Sequence, residues 1–217
     1  MRRWMIGLAC LLAAFVWGNG AGAQDAGAPG KFDYYVLALS WSPTYCATGA
    51  GRDDAEQCAS GRRYGFVVHG LWPQYAAGGY PAQCVVPPPP VPAEVAQDIL
   101  AVMPSHKLVE HEWLRHGTCQ GGDPAHYFST VKGAFASVHI PPVFAAPQAP
   151  LFATASQVEE AFTAANPGLT ADKMAVMCRG RYGAEVRICL DRALKFMPCG
   201  DKVRDRCAGQ VIFPAVR

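Results

Sequence analysis

No apolar run in this chain reaches the roughly 20 consecutive apolar residues that a bilayer-spanning helix needs. The longest, Trp4 to Trp17, follows Arg2 and Arg3 and precedes the small residues Ala21-Gly22-Ala23. That order reads as a signal peptide over residues 1–23, cut after Ala23 and leaving no membrane segment behind. Cys10 lies inside this leader, and Gly7-Leu8-Ala9 before it makes a poor lipobox. Excess positive charge is missing as well. Of 19 Lys and Arg, Arg2 and Arg3 fall in the leader, leaving 17 against 17 Asp and Glu. An indiscriminate nucleic-acid binder, which works through a cationic surface, is thereby excluded. Close Cys-x-x-Cys pairs are absent, which removes the usual zinc-binding arrangement. There is no internal repeat, and no β-α-β rhythm that would build a parallel α/β sheet.

Eight cysteines remain outside the leader: Cys46, Cys58, Cys84, Cys119, Cys178, Cys189, Cys199 and Cys207. An even number behind a signal peptide reads as four disulfides formed in an oxidising compartment, periplasmic or extracellular. Spacing alone does not say which cysteine pairs with which. Residues 24–217 are long enough for one domain with a substantial core.

Residues 32–41 (FDYYVLALSW) read as a buried strand, and 44–62 as a disulfide-closed loop. Tyr64–His69 reads as a second strand stopped by Gly70 and Pro73. The proline run 85–92 (VVPPPPVP) is incompatible with a helix or a central strand and reads as a solvated surface loop. Helices are predicted at 93–103, 108–116, 124–138 and 157–165, the last opened by a capping box at Ser156-Gln157-Val158-Glu159. Strands are predicted at 173–179 and 184–191. The fold class is α+β, a central antiparallel sheet flanked by helices in one disulfide-stapled domain.

Two short strings concentrate the chemistry, FVVHGLWPQ at 66–74 and EHEWLRHGTC at 110–119. In the second, helical rotation of about 100° per residue sets His111 and His116 roughly 140° apart. They therefore do not chelate one metal from one face, as an H-E-x-x-H helix does. The same arithmetic puts Glu112 and His116 about 40° apart, with Arg115 about 60° to the other side of Glu112. A carboxylate, a guanidinium and an imidazole converge, with His111 at the margin. Taken singly, His69 reads as a hydrogen-bonded core histidine, Trp72 as a core aromatic, and the helix as an exposed charged one. His106, His126 and His139 read as surface or structural, and Asp191, Asp201 and Asp205 as loop solvation.

Taken together, the two strings resemble the active-site signatures of the ribonuclease T2 family: apolar residues and then His69-Gly70-Leu71-Trp72-Pro73, and His111-Glu112-Trp113 followed by a basic residue and His116-Gly117-Thr118-Cys119. The resemblance covers the chain from about Phe32 onward and is closest to bacterial secreted or periplasmic members. It implies disulfides Cys46–Cys58, Cys84–Cys119, Cys178–Cys207 and Cys189–Cys199. It also implies endonucleolytic cleavage of RNA by transfer to the 2′-hydroxyl, without metal or cofactor, in a monomer whose partner is the RNA substrate. His116 is the implied general base and His69 the general acid; Glu112 and Arg115 stabilise the phosphorane and His111 binds phosphate. Trp72, Gln74 and Tyr75 are the base-binding candidates; for stacking Trp72 is the best of them, with Tyr75 and Tyr80 weaker. The sequence departs from the family in two places. Arg115 stands where lysine is usual, and Gln74 stands where some members carry an aspartate tied to base preference. Competing readings are a non-catalytic binder that keeps the fold and a metal-dependent hydrolase.

Overall fold

Tyr34–Trp41 is apolar and aromatic throughout, and it forms the strand (β1) around which the sheet is built. A computed structural model describes residues 27–216; the predicted signal peptide and Cys10 lie outside the described residues. Three short helical turns follow β1: α1 (Ser42–Cys46), α2 (Gly49–Arg52) and α3 (Ala55–Cys58). The loop predicted over 44–62 is thus mostly helical, its turns capped by the side chains of Thr48 and Asp54.

The second strand, β2, spans Phe66–Gln74 and passes straight through Gly70 and Pro73. Both were predicted to stop it, and its place in the sheet explains the difference. Strand order is β2-β1-β5-β6-β3, with β3 at Leu151–Ala153, β5 at Tyr182–Leu190, β6 at Val211–Phe213 and β4 (Met174–Arg179) also on β5, so β2 lies at an edge, where a proline costs no inner ladder bond. The register shifts between Ala38, opposite Gly70, and Leu39, opposite Val68, which leaves His69 as the extra residue of a β-bulge.

The remaining elements are α4 (Ala93–Ile99), α5 (His106–Arg115), α6 (Pro124–Ala136), β3 (Leu151–Ala153), α7 (Ala155–Ala165), β4 (Met174–Arg179), β5 (Tyr182–Leu190) and β6 (Val211–Phe213). The predicted helices and strands are present with ends moved by a few residues. The capping box sits two residues earlier than predicted, on Thr154 and Gln157. Pairing between the strands is antiparallel except where β5 meets β6, Tyr182 to Ile212, and an isolated bridge from Met177 to Arg206 is also parallel. The fold is α+β, and among the described residues there is no β-α-β crossover.

Side chains alternate across a strand, and the two faces differ. Tyr35, Leu37, Leu39 and Trp41 of β1 join Val68, Leu71, Trp113, Tyr127, Phe128, Phe162 and Phe213 in the main core. Trp41 meets Phe66, Phe144 and Phe213 edge-on at 4.9, 6.0 and 5.7 Å. The other face carries Tyr34, Val36 and Cys189, with Trp72 packed against them. Disulfides join Cys46–Cys58, Cys84–Cys119, Cys178–Cys207 and Cys189–Cys199, the pairing that the resemblance implies, and they fit an oxidising compartment. Cys84–Cys119 anchors the proline run, whose Pro89 carbonyl accepts a hydrogen bond from Trp113 Nε1 at 2.7 Å. Among the described residues, no helix is long and apolar enough to cross a membrane.

Candidate active site

The bulge in β2 turns His69 onto the second face of the sheet, beside Trp72 of the same strand. Their rings meet edge-on with centroids 5.2 Å apart. His116 lies against the same indole, its ring tilted by 32° at 5.5 Å. Residues 69 and 116 come from separate elements yet meet one indole, and the charge of His69 acts on His116.

Helix α5 supplies the second half of the site. Ser105 caps it, accepting from the Leu108 backbone N–H at 3.3 Å. Val109, Glu112 and Trp113 form its buried stripe, at the i, i+3, i+4 spacing of one helix face. Glu112 is therefore a carboxyl on a core-facing stripe, only 1% exposed. Its Oε2 accepts from Trp72 Nε1 at 2.8 Å, and its Oε1 lies 3.8 Å from His69 Nε2. Gly70 permits this approach, because a Cβ there would collide with Glu112 Oε2 and Trp72 Nε1. Its role is close contact with the carboxyl rather than strand termination.

His116 is the C-cap of α5, at φ −122°, so it leaves the helix just where the rotational arithmetic assumed it would stay. Arg115 is half-buried, its Nη2 donating to the Tyr80 hydroxyl at 3.2 Å; the Tyr80 ring is also 5.7 Å from His116. His111 is exposed at the margin, close enough for its charge to act on His116.

Two residues of the cluster escaped sequence reasoning. Glu185 on β5 is 7% exposed, and its Oε2 lies 2.7 Å from His69 Nδ1. Arg187 Nε donates to Glu185 Oε1 at 2.6 Å, and the Arg187 guanidinium lies 5.0 Å from the Trp72 centroid, over the ring. β5 reads as an ordinary strand, and no motif surrounds these residues. The one available signal was alternation: Glu185 and Arg187 interrupt an otherwise apolar strand at positions sharing one face.

These contacts drive the ionisable groups apart. For His69, burial works to lower the pKa, but the hydrogen bond and charge of Glu185, joined by the charge of Glu112, prevail and hold it above 6.5. For His116, burial and the charges of Arg115, His111 and His69 all act downward, to about 3. Its Nδ1 is buried without a hydrogen-bond partner among the described residues, a further reason not to hold a cation there. Burial raises Glu112 to about 7 against the pull of His69 and Trp72. Burial also works to raise Glu185, yet its bonds to His69 and Arg187 leave it lowered and ionised. His111 is lowered by burial and by the charges of His69 and Arg115.

The structure thus brings His69, Trp72, Glu112, Arg115 and His116 into one cluster, with His111 at its rim. Gln74 and Tyr75 follow at the end of β2, and the Gln74 amide turns back to donate to the Pro73 and Trp72 carbonyls at 3.0 and 3.4 Å. His106 pairs with Glu56 at 2.7 Å in an exposed position, in keeping with its surface reading. Asp191 and Asp205 do more than solvate loops: Asp191 Oδ1 accepts from the backbone N–H of Ala193 and Lys195, and Asp205 Oδ1 from that of Val176. Among the described residues, no group of three or more His, Cys, Asp or Glu could hold a metal ion.

The chain is 43% identical over 121 residues to a ribonuclease of Aeromonas hydrophila, covering 56% of this chain and 52% of that one. It is 36% identical over 129 residues to a probable ribonuclease of Haemophilus influenzae, covering 54% and 47%. The chain spans about half the length of these two relatives. It is 27% identical over 232 residues to ribonuclease DdI of Dictyostelium discoideum, covering 96% of each. The solved structure of an RNase-related protein from Calystegia sepium matches with a TM-score of 0.68 at 24% identity, covering 86% of this chain and 98% of that one, which shows a shared fold. The model of the ribonuclease T2 family matches residues 32–199, well over half of the chain and both histidine strings, and the chain belongs to that family.

Proposed function

We propose that the protein is a metal-independent endoribonuclease that cleaves single-stranded RNA by transfer to the 2′-hydroxyl. The products are a 2′,3′-cyclic phosphate and, after hydrolysis, a 3′-phosphate. One observation carries this reading: two imidazoles on one indole whose pKa values are pushed to opposite sides of the ordinary value. RNA holds its own nucleophile, so the reaction needs only a base for the 2′-proton, an acid for the departing 5′-oxygen and positive charge at the phosphorane. His116, neutral down to about pH 3, is suited to be the base. His69, kept protonated by Glu185, is suited to be the acid. Their roles exchange when the cyclic phosphate is hydrolysed.

Arg115 supplies a fixed cation, and its guanidinium can grip a phosphate through two N–H groups where a lysine would offer a point charge. Glu112, neutral below pH 7, donates a hydrogen bond to a phosphoryl oxygen instead of repelling it. His111 binds phosphate at the rim. Trp72, Gln74 and Tyr75 contact the base, and a base stacked on Trp72 shares the indole with Arg187. Glu185 and Arg187 are positioning residues that act through His69. RNase NT, a solved structure at 20% identity with a TM-score of 0.64, is described in complex with 5′-AMP, which supports a nucleotide ligand for this fold. Residues 24–217 act as one monomeric domain, released to the periplasm or the medium once residues 1–23 are removed.

Incubating the mature protein with RNA in EDTA and analysing the product ends provides the test. The expected result is cyclic phosphate, with at least a hundredfold loss in folded His69→Phe and His116→Phe variants. Wild-type turnover by either variant overturns the assignment. A protein that binds RNA without cutting it favours the non-catalytic reading, and loss of cleavage in EDTA favours a metal-dependent hydrolase.

A further inference from the structure

A second concavity lies away from the histidines. It is a groove of about 1060 Å³ at the end of the sheet where β1 runs into α1, and it includes none of the active-site residues. One wall is rigid: the Cys46–Cys58 disulfide closes it, Gln57 Nε2 donates to Ser42 Oγ at 3.0 Å, and Thr44 Oγ1 donates to the Gly183 carbonyl at 2.7 Å. The other wall displays Phe152 and Tyr182, which are 60% and 42% exposed and are two of the few large apolar side chains left in solvent. Arg62 and Arg179 also line the groove, no carboxylate does, and neither arginine is ion-paired among the described residues. Arg181 lies 5.9 Å from the Tyr182 centroid and adds a third guanidinium at the rim.

Arginines beside exposed aromatic faces, with no carboxylate in the lining and only Glu56 near enough to feel the charge of Arg62, suit a single strand of nucleic acid. Guanidinium groups meet its phosphates, and aromatic rings accept any base by stacking. The groove and the histidine cluster are served by the same strand. Tyr182 and Glu185 are three residues apart on β5, about 10 Å along the strand. A chain with equal numbers of acidic and basic side chains after its leader must draw its RNA affinity from a local patch, and this groove offers one. We infer that the groove is an RNA-anchoring subsite that holds substrate several nucleotides away from the scissile bond and favours long chains over short ones. This inference deepens the ribonuclease reading and rests on it.

The test uses a fluorescent oligothymidylate of ~20 nucleotides, which has no 2′-hydroxyl and so is not cleaved, with a ~4-nucleotide version as the short control. The intact protein is compared with an Arg62→Ala/Arg179→Ala variant and a Phe152→Ala/Tyr182→Ala variant. Each is expected to bind the long oligonucleotide about tenfold or more weakly. The arginine variant is expected to lower the slope of log affinity against log salt by about 1.4. Turnover of a dinucleoside monophosphate, too short to reach the groove, is expected to stay at the wild-type level in both. Wild-type affinity and salt slope in the variants overturn the subsite, as does a parallel fall in dinucleotide turnover. Because the binding probe needs no cleavage, failure of the intact protein to cut RNA would sink the ribonuclease reading while the binding measurement still decided the groove.

Discussion

Neither imidazole of the pair sits at its ordinary pKa, and the cause of each departure can be removed by mutation. In the proposed mechanism His116 must be neutral to take a proton, so activity is expected to rise as pH passes upward through about 3. His69 must there be protonated to give one, so activity is expected to fall as pH climbs through its raised value, above 6.5. A pH profile of kcat/KM is expected to show a broad acidic plateau between these limbs; an acid limb near 6.5 would contradict the assignment. Glu185→Ala removes the hydrogen bond and charge that oppose burial at His69. Its alkaline limb is therefore expected to move to lower pH, and Glu185→Asp to restore part of the shift, which a purely structural role would not do. Glu112→Gln, neutral at every pH, is expected to cost less than about tenfold below pH 7, where the native carboxyl is already protonated, as measured by kcat/KM.

Among the elements, β2 shows how an edge position changes the meaning of residues. Gly70 and Pro73 look like strand breakers in isolation, yet an edge strand tolerates the proline, and the glycine makes room for Glu112 beside the bulge. Gly70→Ala is expected to separate Trp72 from Glu112 and to reduce kcat by a hundredfold or so, with folding retained by circular dichroism. Helix α5 was legible from residue 108 onward, but its start was not: Ser105 caps it and His106 opens it two residues before the predicted beginning. What spacing could not give was the departure of His116 at the cap, since a terminal residue is set by the Gly117-Thr118-Cys119 turn after it. Ser105→Ala is expected to lower stability by about 1 kcal/mol, read from the midpoint of urea unfolding.

For the whole molecule, the disulfides carry much of the tertiary definition. Cys84–Cys119 closes a span of 35 residues and fastens the segment after β2 to the end of α5, across the site. Replacing both cysteines with alanine is expected to cost about 3–4 kcal/mol, largely through the unfolded chain. The thermal midpoint is expected to fall, with activity lost before global unfolding as α5 drifts from β2. Reducing agent is expected to reproduce this in the unmutated protein.

The chain order alone was enough for the class of fold, the strands and helices with long regular patterns, the two histidine strings and, through the resemblance, the cysteine pairing. Those features are local or motif-borne, and neighbouring residues suffice to express them. Glu185 and Arg187 became visible only in three dimensions, because they reach His69 from a strand more than a hundred residues away. The opposite protonation of His69 and His116 belongs to the same level. It depends on which charges surround each ring and how far each is removed from water, and packing decides both.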